Sequence, residues 1–243
     1  MMANQIFNTL IYSSIAGFAT ILGILLVLYA RDFVKKYSIY IVSFAAGVLI
    51  TFSFIHLIPE SLELYSNSLI IVLFGFLLFY LIEHFIMRHS FHESYEREHE
   101  AGKIAVIGLG LHSLIDGVVI GAGFGVSQEF GLITTLAVVA HEFPEGITSM
   151  AVLLHSNIKK SLAVFYSFLV AIATPIGAIL TIFFFKDINQ EFLGILIAVA
   201  AGSFIYVGAS DLVPETHEQY NKKNALFLIL GMIFVIVISR LFR

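Results

Sequence analysis

The chain of 243 residues has no cysteine and no tryptophan, and only 12% of its residues are charged. Without cysteine there is no disulfide and no thiolate metal site, so any metal chemistry must run on imidazole and carboxylate. Without tryptophan, tyrosine and phenylalanine must supply the aromatic groups of a membrane interface. The shortage of charge, beside 59% hydrophobic residues, excludes an ordinary soluble domain of this size. A net charge of −4 gives no reason to expect a nucleic-acid partner. The opening residues Met1-Met2-Ala3-Asn4-Gln5 hold no Lys or Arg before the first apolar run. That argues against a cleaved signal peptide and for a first span that is retained.

Long apolar runs are what the sequence has in quantity, each of about 20 residues, enough to cross a bilayer core. Eight spans are expected, at 9–30, 38–60, 68–88, 103–126, 129–155, 160–185, 190–213 and 223–242. The connections are short, so residues 1–243 read as one all-α integral membrane domain with the lipid bilayer as its surroundings. With the N-terminus outside, the inner loops gather Arg31, Lys35, Lys36, Arg88, Arg97, Lys103, Lys159, Lys160, Lys222 and Lys223, leaving Lys186, Arg240 and Arg243 outside. That asymmetry favours both termini outside. The expected location is the plasma (inner) membrane.

An internal match relates two of these spans. Segment 45–61, AAGVLITFSFIHLIPES, agrees with segment 200–216, AAGSFIYVGASDLVPET, at Ala, Ala, Gly, Ile, Leu, Pro and Glu without a gap. In the topology above these helices run in opposite directions. The expectation is an inverted repeat, spans 1–3 against spans 6–8, with spans 4 and 5 between them at the midplane. His56 and Asp211 occupy matching positions in it, as relays at the outer entrance and the inner exit.

Spans 4 and 5 carry the chemistry. One contains His112-Ser113-Leu114-Ile115-Asp116-Gly117, the other His141-Glu142-Phe143-Pro144-Glu145-Gly146. Each sets a histidine four residues before a carboxylate, so both groups share a helix face. Asp116, Glu142 and Glu145 are costly at membrane depth, about 2.5–3.5 kcal/mol each on insertion scales, and have no Lys or Arg near them in sequence. Protonation is one way out of that cost; a divalent cation held by His112, Asp116, His141 and Glu145 is another, and the two histidines favour it. The donor set suits Zn2+ and accepts Fe2+, Mn2+ or Cd2+. Glu142 lies about 100° round the helix from His141, where it either flanks the site or begins a second one. Pro144 is expected to kink span 5. The glycines of span 4, from Gly108 to Gly125, are expected to bring that helix close to its neighbours. His155 falls on the His141 face nearer the inner side, as an exit ligand. The inner loop 89–100 holds three His and four Glu and reads as a metal-gathering tract.

On these motifs the chain resembles the ZIP (Zrt- and Irt-like) family of divalent metal transporters over essentially its whole length. IHLIPES in span 2, GFLLFYLIEH in span 3 and DLVPE in span 7 share the likeness. The resemblance implies eight spans, both termini outside, and a metal site between helices four and five with His112, Asp116, His141 and Glu145 as primary ligands. It implies a neighbouring second site at Ser113 and Glu142, and a homodimer is plausible on the same ground. Two departures weaken the second site. Ser113 stands where Asn is usual, and span 6 has no mid-span acid, with Thr174 near its expected place. Ile115 replaces a proline common in bacterial relatives, so helix four is expected to be straighter. The expected function is transport of zinc, as cargo rather than cofactor, into the cytoplasm by alternating access, with no enzymatic activity. Uptake should weaken in acid, where protons compete for the ligands. The alternative is an intramembrane zinc-dependent hydrolase with Glu142 as base. The inverted repeat favours the transporter, since an enzyme has no use for it.

Overall fold

A computed structural model describes residues 2–88, 96–184, 189–218 and 221–241. Among these the regular structure is entirely helical, in eight rods. They are α1 (Met2–Tyr29), α2 (Arg31–Phe52, a π-turn at Ser53–Leu57, then Ile58–Leu64), α3 (Ser68–Arg88), α4 (Glu96–Val126), α5 (Gln128–His155), α6 (Lys160–Phe184), α7 (Gln190–Tyr206, a π-turn at Val207–Leu212, then Val213–Glu218) and α8 (Lys222–Leu241). Six of the rods, α1, α2, α4, α6, α7 and α8, are long and apolar enough to cross a membrane. In α3 the qualifying apolar stretch, Ser68–Ile82, is shorter. α5, which carries His141, Glu142 and Glu145, is not among the six.

Several rods differ from the expected spans at their ends: α1 begins at Met2 and α2 at Arg31, before the expected 9 and 38. α4 starts at Glu96, so the second half of the expected loop 89–100 is helical. Residues 89–95 lie outside the described ones. α2 and α7 run on past 60 and 213 because the helix absorbs a proline instead of ending at it. Pro59 and Pro214 each lack an N–H and crowd the carbonyl four residues back. Those positions, Ile55 and Ser210, fall inside the two π-turns, which is how a helix takes up such a defect without stopping.

Local chemistry sets the ends. Ser127 accepts from the Phe130 N–H at 3.0 Å and caps α5, and Asn189 caps α7 through the Phe192 N–H at 2.8 Å. At the end of α5, Asn157 takes a positive φ of 57°, a conformation Asn tolerates. It lets the Ile158 N–H close the helix on the Leu153 carbonyl at 3.1 Å.

The rods pack as a four-helix group, α1, α4, α5 and α6, flanked by the pairs α2–α8 and α3–α7. Small residues make the close approaches, as apolar helices in lipid require. A Cβ on Gly117 would strike the Thr174 carbonyl of α6, and one on Gly177 the Leu114 carbonyl of α4. Likewise Gly146 abuts the Thr20 carbonyl of α1, and Gly23 the Phe143 carbonyl of α5. Gly47 and Gly231 do the same for α2–α8, as Gly75 and Gly202 do for α3–α7. The expectation for span 4 holds for Gly117, Gly121 and Gly123 but not for Gly108 and Gly110, which have nothing within 4 Å. Both are half-buried, and Gly110 lines a recess of about 360 Å³ with Tyr166, Leu169 and Val170 of α6.

Candidate metal centre

Helix periodicity puts His112 and Asp116 on one face of α4 and His141 and Glu145 on one face of α5. The two faces meet. One donor atom from each of the four residues lies within 4.8 Å of all the others, and all four side chains are buried. Asp116 Oδ2 sits between the imidazoles, 3.1 Å from His141 Nε2 and 3.6 Å from His112 Nε2. Metal–ligand bonds of about 2.0–2.2 Å give tetrahedral donor–donor edges of about 3.3–3.6 Å, so this part of the cluster already has nearly the right size.

The surroundings orient the donors. His141 Nδ1 lies 3.0 Å from the Ala137 carbonyl. That contact requires the proton on Nδ1 and leaves the Nε2 lone pair for the centre of the cluster. Ser113 donates to Glu145 Oε1 at 2.7 Å. Both ring nitrogens of His112, Asp116 Oδ1 and Glu145 Oε2 are buried without a hydrogen-bond partner. Buried polar atoms left open in this way are uncommon and ask for an explanation. Four of them on one cluster of two imidazoles and two carboxylates suit the coordination of a divalent cation.

Glu142 is not one of these four donors, although it lies within electrostatic reach of Asp116, His141 and Glu145. It is fully buried, and its carboxylate accepts hydrogen bonds from the Thr20 hydroxyl of α1 and the Thr174 hydroxyl of α6. The structure thus brings together His112, Asp116, His141 and Glu145. It seats Ser113 on Glu145, and Thr174 on Glu142. Sequence reading missed Thr20, although the repeat offset carried back from Thr174 lands within one residue of it.

The remaining candidates are not in the cluster. His56 sits in the α2 π-turn, half-buried, with Nε2 bonded to the Ser239 hydroxyl of α8. His155 is exposed at the end of α5. Asp211 belongs to the α7 π-turn, and its side chain lies outside those described. α5 continues unbroken through Pro144.

Two phenyl rings face the imidazoles, and a third backs one of them. Phe204 of α7 has its ring centre 5.5 Å from that of His112 and 5.2 Å from that of His141. Phe79 of α3 meets His112 edge-on at 6.2 Å. Phe52 of α2 backs Phe204 at 6.5 Å. No pattern in the sequence separates these rings from ordinary core aromatics.

Residues 89–239 match the ZIP Zinc transporter family model, a stretch that includes both motifs. The chain belongs to this family. Among curated proteins it is 36% identical over 129 residues to the Drosophila melanogaster "Zinc transporter foi", covering 53% of this chain and 18% of that protein. It is 34% identical over 122 residues to the Mus musculus "Metal cation symporter ZIP14", covering 49% and 24%. It is 36% identical over 134 residues to the Homo sapiens "Zinc transporter ZIP6", covering 52% and 18%. The chain therefore spans less than a quarter of the length of these relatives. Membership in the ZIP family and six apolar helices make it an integral, multi-pass membrane protein.

Proposed function

We propose that this ZIP-family chain carries divalent metal ions, zinc foremost, across the membrane into the cytoplasm, binding one ion at a time between α4 and α5. The observation that carries the reading is the four-donor cluster with its open buried atoms. His112, Asp116, His141 and Glu145 are the ligands. Ser113 orients Glu145, and Glu142 is a brace between α1 and α6. The engagement of Glu142 by two threonines supports a single-ion site over a binuclear one. It also weighs against the hydrolase alternative, because a general base needs its carboxylate aimed at the metal-bound water. Names given to the relatives, zinc transporter and metal cation symporter, support cargo transport.

Alternating access follows from an inverted repeat of α1–α3 and α6–α8 about the α4–α5 pair, all eight rods spanning the bilayer. The glycine contacts support it. The Gly146–Thr20 and Gly23–Phe143 approaches have their counterparts in Gly117–Thr174 and Gly177–Leu114. The two π-turns fall at matching positions. The charge asymmetry of the loops supports outer termini in a plasma membrane. Exposed apolar side chains along α1, α3, α6 and α8 suit lipid contact.

The test is zinc uptake into proteoliposomes with Mn2+, Fe2+ and Cd2+ as competitors. Wild type should accumulate zinc, while Glu145→Ala and His112→Ala should lose uptake by about a hundredfold, the upper end of the cost of a lost ligand shell partner. Uptake should fall as pH drops, since protons compete with metal for the same four side chains. Uptake unaffected by both substitutions would end the assignment. Zinc that binds and never crosses would favour the hydrolase.

A further inference from the structure

We infer that Phe52 and Phe204 form a two-ring seal that closes the metal centre off from the end of the bundle where α2 finishes. The inference rests on the transport reading for its purpose, though not for its geometry. The rings make a continuous file. His56 stacks against Phe52 with centres 5.3 Å apart, Phe52 against Phe204 at 6.5 Å, and Phe204 against both His141 and His112. His56 is partly accessible, while Phe52 and Phe204 have no exposed surface. Behind Phe52 lies a recess of about 10 Å³ lined by residues including Ile133, Ala137 and Val235, room for about one water molecule. A hydrated dication cannot pass such a constriction, which acts as a hydrophobic gate by excluding water.

The origin of the two rings matters as much as their burial. The ligands ride on α4 and α5, whereas Phe204 rides on α7 and Phe52 on α2. Rings that meet ligands across a helix boundary must part when the ligand helices turn to face the His56 end. Ring–ring contacts are weak enough to be broken and remade in a transport cycle. The arrangement also gives His56 a place. It lies outside the seal, where an ion arriving from that end would meet an imidazole before meeting the gate. Simple core packing would also bury two phenyls, and it differs from a seal in one respect. Trimming a seal opens the site toward one face only.

That difference is measurable because the chain has no cysteine of its own. A single Ser113→Cys reporter at the centre, in membrane vesicles, is exposed to an impermeant thiol reagent from either face. A separate Asn67→Cys variant, in the exposed turn after α2, marks which face is which. Adding Phe204→Ala should raise the labelling rate by about tenfold from the α2-terminal face, as a cheaper local opening. From the opposite face the rate should not change. Phe204→Leu, which keeps most of the volume, should stay near the parent rate. Phe52→Ala should repeat the one-sided gain if Phe204→Ala does not fold. Unchanged labelling, or equal gains from both faces, would overturn the seal. Equilibrium zinc binding by the unsubstituted chain is measured in parallel. If it binds no zinc, the transport reading falls while the labelling still decides the seal.

Discussion

The metal centre has two walls of different construction. The wall formed by α1 and α6 is built from backbone and hydroxyls. Glycines let main chains touch at Gly23, Gly117, Gly146 and Gly177, and Thr20 and Thr174 bind Glu142 from both sides. The wall formed by α2, α3 and α7 meets the imidazoles through the phenyl rings of Phe79 and Phe204, with Phe52 packed behind Phe204. Backbone contacts and short hydrogen bonds have one geometry and fail abruptly. Ring contacts have broad minima and slide. On the transport reading proposed above, α1 and α6 would move with the ligands and the ring-bearing helices would be what the ligands move against.

The largest predicted effect comes from breaking the first wall. Gly117→Ala sets a methyl against the Thr174 carbonyl, and Gly146→Ala against the Thr20 carbonyl. No flexible side chain is there to yield, so each should cost about 1–3 kcal/mol or more as overpacking. Melting in detergent should fall clearly for both. Gly110→Ala on the same helix as Gly117 meets nothing within 4 Å, and it should hold or raise stability by about 0.5–1 kcal/mol through helix propensity. If all three variants melted alike, close backbone contact would not be what distinguishes this wall.

The threonines come next. Thr20→Val and Thr174→Val each remove one donor from a buried carboxylate, at about 1–3 kcal/mol for the group left unsatisfied. The two single variants should cost nearly the same, since each hydroxyl donates one hydrogen bond to the same buried carboxylate. The double variant should cost something other than the sum, because both act on one carboxylate. A measured cycle of thermal stabilities checks both statements, and a large difference between the singles would argue against equivalent roles.

How much of this was readable in advance depends on whether the signal was periodic or spatial. His112, Asp116, His141 and Glu145 could be read because i, i+4 spacing and intramembrane charge both point to them. Helix positions could be read from apolar run lengths, but not the ends: α1, α2 and α4 start about two turns earlier in polar sequence, and α2 and α7 run past a proline absorbed as a π-turn. Thr20 left no such trace. It is one small polar residue in an apolar helix, and only the repeat offset picks it out. Phe204 lay in plain view inside AAGSFIYVGASDLVPET, but aromatic residues are expected in any core. Its importance comes from which helix brings it to which rings, and a one-dimensional pattern does not hold that information. The glycines of α4 look alike in sequence, yet Gly117 touches a neighbour and Gly110 does not.

The smallest predicted effect separates the walls most sharply. Phe79 meets His112 edge-on from α3 and is 7% exposed. Phe79→Leu is a modest change of apolar volume, which should cost less than about 1.5 kcal/mol in stability. It removes a ring contact worth about 0.5–1.5 kcal/mol to the placement of a metal ligand. His112 has no hydrogen bond on either ring nitrogen, so ring packing from Phe79 and Phe204 is a main restraint on its orientation. Zinc affinity should therefore fall a few-fold while the melting temperature barely moves. Thr174→Val should show the reverse, a clear loss of melting temperature with little change in affinity, because Glu142 braces helices and is not one of the four ligands. Measuring zinc Kd and Tm for both variants places each wall by the ratio of the two effects. Equal ratios would mean that the walls differ in chemistry alone. Opposite ratios would mean that one wall holds the site together and the other sets how the site presents its ligands.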